Sequence, residues 1–219
     1  MKGRIFRRRR GDELGSVLVE LAMVVLPLML IVMGMVEVGG AWKDKSSAVQ
    51  ASRQGARVGT TASVAVQDYA DREILRAVLA GVPQGLSGSA QVQVRKVIIF
   101  DASVGLAACD GINDSPKDIT IVPSGPKSTV PGCNVYMTGN AGSGNPSLDL
   151  AEITAHSWDG SSSAWDSSFR ARNRNNTIGS ATEVGVYVEM FRPWITGFFP
   201  GDGTQVSGFT VMRIEPAGL

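Results

Sequence analysis

GSVLVELAMVVLPLMLIVMGMVEVGG, residues Gly15 to Gly40, decides how the rest of the chain is read. Within it the 21 residues from Ser16 to Val36 carry one charge, Glu20. An α-helix rises 1.5 Å per residue, so this run reaches roughly 31 Å, the thickness of a bilayer's hydrocarbon core. The stretch predicts a membrane-spanning helix. A secretory signal peptide is the rival reading, but its apolar part is about 7 to 15 residues long and ends in small residues at a cut site. This run is longer and continues into a helical pattern, so we expect the helix to be retained.

A carboxylate inside such a run costs about 2.5 to 3.5 kcal/mol at a helix centre and less near an end, so Glu20 needs a partner or a purpose. Its position suggests one. Glu20 is the fifth residue after Gly15, and Lys2, Arg4, Arg7, Arg8, Arg9 and Arg10 precede that glycine, with only Asp12 and Glu13 against them. A basic leader, a small residue, a cut, and an apolar helix with Glu at its fifth position is the layout that a prepilin peptidase reads. Cleavage after Gly15 would free an α-amine on Ser16. The same basic excess, set against Lys43, Asp44 and Lys45 beyond the run, predicts a cytoplasmic N-terminus and an exported C-terminal part.

The segment also resembles the TadE-like family of the tight-adherence (Flp/Tad) pilus machinery. The resemblance rests on Gly15-Ser16, on VELAMVVLP from Val19 to Pro27, on VEVG from Val36 to Gly39, and on ASRQGAR from Ala51 to Arg57. The terminal VMRIEP, Val211 to Pro216, is similar to the Arg-x-Glu strand on which such chains commonly close. The resemblance implies a pilin-like protein whose partners are the prepilin peptidase, other pilin-like subunits of the pilus and the membrane. It further implies that Glu20 pairs with the freed Ser16 amine of a neighbouring subunit. A buried ion pair adds little net stability, but an unpaired member is costly, and that difference can set register.

The formal charge of +1 is uneven along the chain. The basic excess belongs to the leader, and a chain cut after Gly15 would be net acidic, so we read no nucleic-acid site. The length allows a membrane helix and one ectodomain with a real core. Cys109 and Cys133 both fall on the expected exported side, where a disulfide forms readily. No His or Cys neighbour is spaced for a metal site, and no cofactor is implied.

In order, residues 1–15 read as a polar, disordered leader, 16–62 as one long helix, and 63–219 as an exported α+β domain. Pro27 should kink or loosen the helix. Glu37 should lie about 26 Å beyond Glu20, solvated at the outer interface. Further along, Ala41, Ala48, Ala51, Gly55, Ala56 and Gly59 form a stripe of small residues for close packing, either against the protein's own sheet or against a pilin-like partner. A second amphipathic helix is expected over Asp68 to Leu79. Strands are expected over Gln91 to Phe100, Ile119 to Val122, Cys133 to Met137, Leu148 to Ile153, Glu183 to Phe191 and Val206 to Ile214. The link Arg192 to Gly203 closes a late hairpin, and its apolar string RPWITGFFP should either fold over the long helix or rest at the membrane surface.

The centre, residues 101–182, is rich in Gly, Ser, Asn and Pro and reads as a loop-rich insertion. Trp158 and Trp165 on a polar loop could stack on sugar rings. Arg170, Arg172 and Arg174 would share one strand face and could meet acidic polysaccharide. His156, the lone histidine, lies in no H-E-x-x-H, H-x-x-x-H or G-x-S-x-G pattern, and Asp110 to Asp114 lacks the spacing of a calcium loop. The expectation is therefore a minor pilin or pseudopilin-like structural component rather than an enzyme. In fold it should be α+β: a single membrane helix extending into a pilin-like antiparallel sheet with a loop-rich insertion. A membrane-tethered adhesin binding glycans through that insertion is the alternative.

Overall fold

The computed structural model describes residues 11–61, 70–82, 92–109, 133–137, 183–197 and 199–214. The strand candidates Ile119 to Val122 and Leu148 to Ile153, together with Asp110 to Asp114, His156, Trp158, Trp165, Arg170, Arg172 and Arg174, lie outside these residues.

Helix α1 runs from Gly11 to Thr61 and α2 from Ala70 to Gly81. Strand β1 covers Gln93–Asp101, a short helix α3 covers Leu106–Cys109, and β2, β3 and β4 cover Cys133–Met137, Glu183–Pro193 and Gly203–Arg213. The chain divides into two units, the first ending at Gly40 and the second beginning at Ala41.

The first unit is the apolar part of α1. Its helix begins at Gly11, so the segment 11–15 that was expected to be disordered is helical. A lone glycine such as Gly15 costs a helix only about 1 kcal/mol relative to alanine, too little to end one that continues for many turns. The helix also runs through Pro27 without a break. Every valine, leucine, isoleucine and methionine from Val17 to Val36 is exposed or half-exposed. This is one helix long and apolar enough to cross a membrane.

The second unit is an antiparallel sheet in the order β2-β1-β3-β4, which makes the protein α+β. Strict alternation in β3 sends Val184, Val186, Val188 and Met190 to one face, where they are buried with Val94, Val97 and Ile99 of β1. Against this face lie Ala48, Ala51 and Ala56 of α1 and Ile74, Leu75, Val78 and Leu79 of α2. Fully burying a side chain of the Val, Ile or Leu type contributes roughly 1.5 to 3 kcal/mol, so this layer holds the unit together. Helix α2 presents its apolar stripe inwards, while Glu73 and Arg76 pair at 3.1 Å on its half-exposed side.

The opposite face of the sheet has a smaller cluster. Ile98 and Phe100 pack with Cys109 and Cys133, whose sulfurs form a disulfide joining α3 to β2. Closing a loop across 24 positions contributes about 3 to 4 kcal/mol on the chain-entropy model. Gly185 lies under the Phe100 ring, where a Cβ would overlap the aromatic carbons. Lys96 is buried on this face with its Nζ 3.6 Å from Glu189, and the Tyr187 hydroxyl donates to Glu189 at 3.0 Å. Burial pushes the Tyr187 phenol up to about 12; Glu189 adds to that shift, while Ser207 and Lys96 oppose it.

Candidate functional site

Three places on α1 carry the sequence expectations. At the first, Gly15, Ser16 and Glu20 are exposed on the apolar helix, and a Cβ at Gly15 would touch nothing within 4 Å.

At the second, the small-residue stripe meets its own domain. Ala48, Ala51 and Ala56 are wholly buried. A Cβ on Gly55 would come within 2.6 Å of Val78 and 3.3 Å of Val186, and one on Gly59 within 3.1 Å of Ile74. Across the contact, a Cβ on Gly208 of β4 would sit 2.6 to 2.8 Å from the α1 backbone at Ala48 and Val49. Small residues on both partners therefore bring helix and sheet backbones together, and Ser52 bonds Thr210 side chain to side chain at 2.9 Å. Lys45 Nζ donates to the Ser207 carbonyl of the edge strand β4. Of the two expected partners for the stripe, the protein's own sheet meets it from Ala48 to Gly59, joined by α2, which was not among them.

The third place is where α1 enters the second unit. Arg192 Nη1 donates to Asp44 Oδ2 at 2.6 Å, with both side chains nearly buried. Sequence reasoning treated Asp44 as one of several charges flanking the span and missed this pair. The signal was present in β3. The alternation that buries Val184, Val186, Val188 and Met190 puts Arg192 on the same face, and a cation in that phase requires an anion opposite. Beyond Arg192 the strands extend further than expected, leaving residues 194–202 as the loop, closed by Trp194 N–H donating to the Asp202 carbonyl at 3.2 Å. Gly197 and Gly201 take positive φ, 63° and 85°, which their lack of a Cβ permits.

One expectation is narrowed here and another corrected. The RPWITGFFP string is only partly covered: Trp194 and Phe199 pack with ring centroids 5.0 Å apart, but Ile195 is 49% exposed. Glu37, expected to be solvated, is buried. The length of a helix fixes how far along it a residue lies and leaves its azimuth open, so the spacing from Glu20 could not show which way Glu37 faces.

Another buried polar group was equally invisible to local pattern. Asp71, in the first turn of α2, accepts from Asn134 Nδ2 at 2.6 Å and from the Tyr136 hydroxyl at 2.7 Å, tying α2 to the edge strand β2. Among the described residues no group of three or more His, Cys, Asp or Glu side chains converges as a metal site.

A long apolar N-terminal helix and an antiparallel sheet define the class: an α+β protein with one candidate membrane helix among the described residues. Residues 15–57, a stretch holding the apolar run and most of the packing stripe, match the family model of TadE-like proteins. No curated protein and no solved structure matches the chain.

Proposed function

We propose that the protein is a minor pilin or pseudopilin-like structural component of a tight-adherence pilus, processed by a prepilin peptidase after Gly15. The observation that carries this reading is the TadE-like match over 15–57, which spans the Gly15–Ser16 junction, Glu20, the apolar run and all of the packed stripe but Gly59. The apolar part of α1 crosses the cytoplasmic membrane once, with the N-terminus in the cytoplasm and the sheet domain exported. The protein works by association, with no catalytic step.

The physical role of Glu20 follows from the cut. A freed Ser16 amine would place a positive charge at a helix N-terminus, where the macrodipole is already positive, and inside an apolar environment. A neighbouring subunit's Glu20 relieves both penalties when the two helices lie side by side in the correct register. Glu20→Ala should therefore leave the amount of protein in the membrane unchanged and reduce pili per cell several-fold, scored by electron microscopy in a deletion strain complemented with the variant. Pilus counts equal to wild type at equal membrane levels would contradict the assembly role.

A further inference from the structure

The loop joining β3 to β4 lies at one defined end of the second unit. Strand β3 runs antiparallel to α1: Gly59 faces Val184, Gly55 faces Val186, and Asp44 binds Arg192. Strand β3 therefore delivers its loop to the end at which α1 enters the domain. There the surface is apolar on both contributing elements. Trp42 is 79% exposed, Ile195 is 49% exposed, and Trp194 and Phe199 of the same loop pack against each other with their rings tilted. Lys43 and Lys45 follow Trp42 in the helix, and the loop has no charge from Pro193 to Gly201.

Exposed tryptophan beside lysines, next to an apolar helix, is the composition of a membrane–water interface. Lysines complement anionic headgroups, and an exposed isoleucine in an uncharged loop gains by entering the acyl boundary. We propose that Ile195 and its loop form a second membrane contact at the end of the domain where α1 enters, resting in the outer headgroup region and holding the exported domain against the bilayer. This rests on the reading that α1 crosses the membrane. The Asp44–Arg192 pair positions the contact by fixing the loop to the first turns of the domain's helix.

The test uses the full chain in vesicles of phosphatidylcholine and phosphatidylglycerol. The native cysteines are disulfide-bonded, so a single introduced thiol takes an environment-sensitive fluorophore. Probes go on Ile195→Cys, on Met29→Cys within the apolar run, and on Ser103→Cys, which is exposed at the opposite end of the sheet. With lipids carrying a quencher high on the acyl chain, the residue 195 probe should shift to the blue and lose most of its emission, while the residue 103 probe is unaffected. Quenching at 29 without quenching at 195 would overturn the loop contact, leave the membrane helix in place, and show that the loop faces water or a protein. No quenching at 29 would overturn the membrane reading itself and the loop contact with it.

Discussion

Asp44 and Arg192 show how a single residue's environment can matter more than its local sequence. Their side chains are 4% and 11% exposed, so neither charge can fall back on water if the other is removed. Asp44→Ala should destabilise the full chain by about 3 to 5 kcal/mol in urea unfolding monitored in detergent, because it strands a buried guanidinium. Replacing both partners, Asp44→Leu with Arg192→Met, should recover most of that loss. A single variant as stable as wild type would show the pair to be dispensable. Tyr187 gives a pH-dependent prediction. Its phenol is raised to about 12, above the ordinary value near 10, so the folded state holds its proton more tightly than the unfolded state. The stability this contributes is fully present below the unfolded value and is lost as pH rises through about 12. Between pH 10 and 12 the wild type should lose more stability than Tyr187→Phe, and parallel curves for the two would contradict the assignment.

At the scale of elements, the two halves of α1 should respond oppositely to the same change. Gly55 sits under Val78 and Val186, so Gly55→Ala forces a repacking that costs about 1 to 3 kcal/mol. Gly34 has nothing within 4 Å of its Cβ position, so Gly34→Ala should be neutral or slightly stabilising in helix content measured by circular dichroism. Equal effects at the two glycines would mean that the stripe is not packed as described. The elements themselves were largely legible. Period-two alternation marked β3 and β4, a β-branched run marked β1, and an apolar stripe marked α2, because each depends on residues only a few positions apart. Element ends were less legible. The start of α1 at Gly11, the extension of β3 to Pro193 and the start of β4 at Gly203 depend on pairing and helix continuation that no local breaker announces.

For the whole molecule, what stayed hidden was set by topology. Asp44 and Arg192 are 148 positions apart, and Asp71 and Asn134 are 63 apart. Only the antiparallel course of β3 along α1, and the placement of β2 under α2, bring those partners together. The packing residues were legible for the opposite reason, since the stripe from Ala48 to Gly59 lies on one helix with fixed spacing. The account stands on what happens at the Gly15–Ser16 bond. The decisive measurement is the N-terminal residue and intact mass of membrane-extracted protein, wild type beside Gly15→Arg, from a host containing its prepilin peptidase. The account predicts a wild-type chain beginning at Ser16 and a variant left uncut. A wild-type chain that keeps its leader under those conditions would contradict it and leave Glu20 an ordinary interfacial carboxylate.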